Sequence, residues 1–124
     1  MNQYEAADII IIEDDTDLGN LMQMMLHSFN VKIKRFDRVN EFESYIKNNN
    51  ARLIILDMFL SGSNGIEICQ KLKSDHSKKH INIIMTSAHP DARNIAMQAG
   101  ADKFIEKPFD IDDFIHDVAG FLPS

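Results

Sequence analysis

Two apolar runs constrain the fold of this chain more than anything else in it. Ile9 to Ile12 is four consecutive isoleucines, and Leu53 to Leu56 reads LIIL. Neither run alternates with polar residues, so neither can form a strand with one face in water. Short runs that must be covered on both faces belong in the middle of a parallel sheet, and these two are predicted to be neighbours there.

The rest of the chain alternates further strand patterns with helical ones. Val31 to Phe36 (VKIKRF) sets Val31 and Ile33 among lysines, the pattern of an edge strand, and Ile83 to Met85 and Phe104 to Ile105 complete a set of five. Leu18, Leu21, Met22, Met25, Leu26 and Phe29 recur at helical spacing, one apolar stripe from about Thr16 to Phe29. Val39, Phe42, Tyr45 and Ile46 mark a second helix; Ile66, Ile68, Cys69 and Leu72 mark a third that opens after Gly65. A fourth is expected from near Pro90, whose missing N–H is no loss in a first turn, to Gly100, with a small apolar face of Ala92, Ile95, Ala96 and Ala99. Ile111, Phe114, Ile115 and Val118 mark the last, with Asp110 placed to cap it. Strict alternation with short connections implies right-handed crossovers. The expected fold is α/β, a doubly wound three-layer sandwich around a five-stranded parallel sheet. Ser74 to His80 (SDHSKKH) reads as a surface loop.

At 124 residues the chain has the length of one domain, which predicts a single domain over residues 1–124 with no output domain attached. No apolar run approaches the roughly 18 residues of a membrane span, and no basic segment precedes the first apolar one, so membrane insertion is not expected and the cytoplasm is. Nineteen Asp and Glu against 13 Lys and Arg give a net charge of −6, which repels a phosphate backbone and makes direct nucleic-acid binding an unexpected role. The single cysteine, Cys69, cannot pair within the chain and reads as a small buried apolar side chain.

In a doubly wound sheet, chemistry gathers at the C-terminal ends of the strands. The first strand ends in Glu13, Asp14 and Asp15 and the third in Asp57. If those strands are adjacent, several carboxylates converge and raise one another's pKa values. A hard divalent cation removes the conflict, and an oxygen-only cluster suits magnesium far better than zinc. Acids after a strand can also simply cap the next helix, a role open to Asp15, Thr16 or Asp17 and equally to Glu13 and Asp14 taken alone. The fourth strand adds Thr86 and Ser87, and the fifth adds Glu106 and Lys107, so a hydroxyl and an ammonium join the same rim. Each alone has an ordinary explanation, in backbone satisfaction or a surface ion pair. Their combination on successive strand ends is what carries the argument.

Taken together, IIIIEDD, LIILDMFLSGSNG, NIIMTSA and AGADKFIEKPF resemble the receiver domain of two-component response regulators over essentially the whole chain. Thirty residues separate Asp57 from Ser87, and twenty separate Ser87 from Lys107. The resemblance implies the flavodoxin-like strand order 2-1-3-4-5 and a signalling domain rather than an enzyme turning over external substrates. It makes Asp57 the phosphoacceptor and Mg2+ the cofactor, with Asp14 as a direct ligand, Glu13 acting largely through water, and the backbone carbonyl of Phe59 completing the set. Ser87 takes the place of the switch hydroxyl, Lys107 that of the lysine, and Phe104 that of the switch aromatic, although Phe104 also reads as a plain core residue. Pro108 matches the cis-proline turn. The implied donor is a sensor histidine kinase or a histidine phosphotransfer protein, docking near helix one, and a downstream protein target reads the switched surface. Ser61 stands where the family commonly has proline, so its loop is expected to be more mobile than usual.

Phosphoryl transfer asks mainly for positioning and charge neutralisation, which carboxylates, a cation and a lysine supply. The expected switch draws the Ser87 hydroxyl toward the phosphoryl group and lets the Phe104 ring follow. His89 reads either as a group that orients the attacking water or as a solvent-facing histidine, and Phe59 as a shield over the acyl phosphate. A flavodoxin-like electron carrier is disfavoured because EDDTD would repel a phosphate, and neither GxGxxG nor GxxxxGK[ST] is present. A haloacid-dehalogenase-type phosphatase is suggested only superficially by DTDLG, Asp15 to Gly19. A receiver-like module that binds partners without phosphorylation is opposed by the full set of acids, hydroxyl and lysine.

Overall fold

The computed structural model describes residues 7–60 and 63–122. Strands β1 (Ala7–Ile12), β2 (Ile33–Phe36), β3 (Ala51–Asp57), β4 (Asn82–Ser87) and β5 (Lys103–Glu106) alternate with helices α1 (Thr16–Leu26), α2 (Val39–Ile46), α3 (Gly65–Ser74), α4 (Ala92–Gln98) and α5 (Ile111–Ala119). The five strands form one parallel sheet in the order 2-1-3-4-5, as the resemblance implies. The isoleucine run is central, with Ile12 paired to Leu56 on one side and to Phe36 on the other. A short antiparallel pair, Phe59–Leu60 with Ser63–Asn64, stands in the β3–α3 connection. The loop expectation attached to Ser61 lies outside the described residues.

Alternation of side chains along the strands sorts the core into two layers. Ile9, Ile11, Leu53, Ile55, Ile84 and Ile105 face α1 and α5, where Met22, Leu26, Phe114 and Val118 cover them. Ile10, Ile12, Ile54, Leu56, Ile83 and Met85 face α2, α3 and α4, with Phe42, Ile46, Ile68, Leu72 and Ala96 above them. Cys69 is fully buried there, and that burial pushes its thiol up to about 11, so it behaves as the apolar filler expected of it.

Four local differences from the sequence reading have physical causes. Strand β2 starts at Ile33 rather than Val31, because Lys32 is used at the edge: its N–H donates to Asp8 Oδ2 (2.9 Å) and its carbonyl accepts from Asp8 and Ile9. Helix α1 stops at Leu26, passes through a 3-10 turn over His27–Phe29 and is ended by Asn30 in the left-handed region (φ 53°). In the same helix Leu21 sits on the edge of the apolar stripe, 42% exposed. Helix α4 starts at Ala92, after a turn in which its N–H meets the His89 carbonyl (3.1 Å), and Ile95 faces out while Ala92, Ala96 and Ala99 face in. Gly100 does terminate that helix, at φ 104°, a conformation that favours glycine.

Helix α3 is anchored against the end of β3. The Asn64 side chain caps its first turn, and Gly65 donates its N–H to the Met58 carbonyl at 2.9 Å. A β-carbon on Gly65 would sit 2.3 Å from the Asp57 carbonyl oxygen, so backbone would have to move. The expected outcome for Gly65→Ala is therefore a loss of about 1–3 kcal/mol in a urea unfolding experiment, the usual size of an overpacking effect.

Candidate functional site

Parallel register brings the strand tips level. Extending the β1–β3 pairing one step past Ile12 and Leu56 sets Glu13 beside Asp57; Asp57 pairs with Thr86, and Ser87 with Glu106. Lys107, just past β5, reaches back across the tips: its Nζ lies 2.8 Å from Glu13 Oε1 and 3.4 Å from Asp57 Oδ2. Glu13 is 2% exposed and Asp57 8%. Asp14 joins them, with carboxylate oxygens of Glu13, Asp14 and Asp57 all within 4.8 Å of one another.

Several of these groups are held by local backbone. Glu13 Oε2 accepts from the Asp15 N–H (3.2 Å), and Asp57 Oδ1 accepts from the Phe59 N–H (3.2 Å). The capping role left open among Asp15, Thr16 and Asp17 falls to Asp15, whose Oδ1 accepts from Leu18 at 3.1 Å. Glu13 is thereby free of helix capping and turned to Lys107. Lys107 is presented by the turn at the cis Lys107–Pro108 bond, with its own N–H donating to the Ser87 carbonyl at 2.8 Å.

The electrostatics are those of crowded acids held by one cation. Burial pushes the Glu13 carboxyl above the usual range, the Lys107 hydrogen bond opposes this, and the nearby Asp57 charge pushes it further up. For Lys107 burial works against the charged form, yet the two carboxylates outweigh it and the ammonium is held more firmly protonated than an ordinary lysine. Glu13, Asp14 and Asp57 gather their carboxylates in one place, and every candidate ligand atom there is oxygen. That donor set fits a small hard divalent cation such as Mg2+.

The remaining residues singled out in the sequence lie around this cluster. Ser87 is buried, and its Oγ accepts from the His89 N–H at 3.1 Å. Phe104 is 3% exposed on the α4 side of the sheet, with the Arg93 guanidinium 5.3 Å from its ring centroid. Phe59 stands out two residues after Asp57, 53% exposed, and packs edge-on against the His89 ring with centroids 5.1 Å apart. His89 is exposed, as the solvent-facing reading has it, and also has a ring partner next to the site. Neither contact was legible beforehand. Arg93 and Phe104, like Phe59 and His89, meet only through the fold, and no periodicity marks them.

The response regulator receiver domain profile matches residues 9–119. The chain is 28% identical over 116 residues to the heme response regulator HssR of Staphylococcus epidermidis, covering 91% of this chain and 50% of that protein. It is 31% identical over 111 residues to the transcriptional regulatory protein ResD of Bacillus subtilis, covering 88% and 45%. The chain spans about half the length of these curated relatives. Among solved structures, the receiver domain of NtrX from Brucella abortus superposes with a TM-score of 0.83 at 27% identity, covering 93% of this chain and 98% of that one.

Because the Asp57 charge is one cause of the raised Glu13 pKa, removing it should relieve Glu13. In magnesium-free buffer, the carboxyl 13C titration of Glu13 should move to lower pH in Asp57→Asn. An unchanged midpoint would mean that the Asp57 charge does not contribute to it.

Proposed function

The chain belongs to the response regulator receiver family, and from that premise we propose that Asp57 accepts a phosphoryl group from a sensor histidine kinase or a histidine phosphotransfer protein in the cytoplasm. The observation that carries this reading is the Lys107 ammonium held between Glu13 and Asp57 at the tips of three strands, with Asp14 adjoining. Asp14, Asp57, Glu13 and the Phe59 backbone carbonyl would hold Mg2+. Bound there, the ion supplies positive charge against the carboxylates and the phosphoryl oxygens.

The chain's own residues account for the rest. An Asp57 oxygen attacks phosphorus, the bond from phosphorus to the donor imidazole nitrogen breaks, and its electron pair returns to the imidazole. Lys107, already fully charged and aimed at Asp57, meets a phosphoryl oxygen as a point charge. Ser87, one residue beyond the Thr86 that pairs with Asp57, offers its hydroxyl proton to another, and Phe104 follows it within the α4-side core. The outcome is a population shift in the surface formed by α4, β5 and α5, which a downstream protein reads.

Two measurements test this. Incubation with acetyl phosphate and magnesium should add one phosphoryl group to the intact mass of the protein and none to Asp57→Asn; absence of the gain in the unaltered chain would refute the reading. The exposed Phe59 ring, braced by His89, should slow water's approach to the acyl phosphate. Phe59→Ala is then expected to shorten the phosphoryl half-life roughly two- to tenfold, the effect of lowering the barrier by about 0.4–1.4 kcal/mol. His89→Ala should shorten it too, whereas a lengthened half-life would make His89 the residue that orients the attacking water.

A further inference from the structure

Thr86 carries a hydroxyl that no hydrogen bond among the described residues uses. The residue is 1% exposed, and its Oγ1 atom has no hydrogen-bond partner among the described residues. An unpartnered buried hydroxyl reduces stability, and valine would fill the same space without that penalty. Its position gives the hydroxyl a specific neighbour. In the sheet Thr86 is paired with Asp57 on one side and with Ile105 on the other. Paired residues in a parallel sheet put their side chains on the same face, about 4.8 Å apart between strands. Ile105 offers no polar atom, so the polar side chain adjoining Thr86 in its row is the Asp57 carboxyl. The Thr86 carbonyl also accepts the Met58 N–H at 2.9 Å, which ties its backbone to the residue that follows the acceptor.

In the resting state Oδ1 takes the Phe59 N–H, Oδ2 faces Lys107, and the Thr86 hydroxyl bonds to neither. Phosphorylation changes that demand: one carboxyl oxygen becomes the bridge to phosphorus, and Lys107 gains the phosphoryl oxygens as competing partners. We propose that the Thr86 hydroxyl is a positioning donor that turns to the Asp57 carboxyl in the phosphorylated state and shortens the lifetime of that state. This rests on Asp57 being the acceptor. In hydrolysis a water oxygen attacks phosphorus, the bond from phosphorus to the Asp57 oxygen breaks, and its electron pair is left on the carboxylate. The water's proton passes to solvent, and inorganic phosphate departs. Negative charge grows on the carboxyl oxygens as that bond stretches, so a neutral donor beside them binds more strongly in the transition state than before it.

The test uses the full chain and its Thr86→Val, Thr86→Ala and Thr86→Ser variants, phosphorylated with acetyl phosphate, desalted into magnesium buffer and followed by intact mass. Thr86→Val should raise the thermal midpoint of the unphosphorylated protein and lengthen the phosphoryl half-life about three- to tenfold, the effect of one uncharged hydrogen bond. Thr86→Ala should lengthen the half-life similarly, which keeps the test decisive if the valine variant misfolds. Thr86→Ser, which restores the hydroxyl, should decay within about twofold of the unaltered chain. The proposal is overturned if the valine and alanine variants decay at the unaltered rate, or if serine decays as slowly as they do. If the unaltered chain gains no phosphoryl group, the acceptor reading fails and takes this one with it; a normal gain with unchanged decay sinks only the role of Thr86.

Discussion

Side-by-side pairing of β1 with β3 is the constraint from which the rest of the site follows. With Ile12 opposite Leu56, the next residues out are Glu13 and Asp57, so the register itself forces two carboxylates together where the sheet meets solvent. Neither can rotate its charge far away, because both are more than nine-tenths buried. The cluster is tolerable only with cations, and the fold supplies one in Lys107, delivered from the far side of the sheet by the turn after β5. The oxygen-only donor set that fits a further hard cation is therefore a consequence of strand order.

Much of this could be read from the sequence because the relevant residues end apolar runs. IIII before EDD and LIIL before D place the acids at strand tips, and doubly buried strands must be adjacent. The two-sided core was legible for the same reason. What resisted reading were the places where one polar group redirects the chain. Lys32 bonding to Asp8 shortens β2, and Asn30 in the left-handed region ends the α1 segment where apolar periodicity alone runs on to Phe29. Ile95 shows the limit of periodicity in a short helix: three alanines suffice to bury α4 against the sheet, and the larger side chain between them is left outside.

Within the site, identities were more legible than contacts. That Glu13 is turned to Lys107 while Asp15 does the capping depends on the chain reversing between them, and EDD gives no hint of which acid does which. The Phe59 and His89 rings come from different strand ends and meet only because β3 and β4 are paired. In the sequence Thr86 passes for an ordinary β-branched strand residue. Its idle hydroxyl becomes visible only once every neighbour has been placed.

The sheet also sets the strand-tip groups on two faces that are one residue apart. Glu13, Asp57 and Thr86 form one row on the α1 and α5 side, continuing the face of Ile11, Ile55 and Ile84. Ser87 is one residue further along β4 and so lies on the opposite face, with Met85 and Phe104 under α4. Successive residues of a single strand thus stand on the two faces, Thr86 in the row of Asp57 and Ser87 on the α4 side, and the Ser87 carbonyl accepts the Lys107 N–H. Under the proposed function, a change at Asp57 has only the thickness of one strand to cross before it reaches α4, and the side chains of Thr86 and Ser87, each on its own face of β4, are the parts placed to respond.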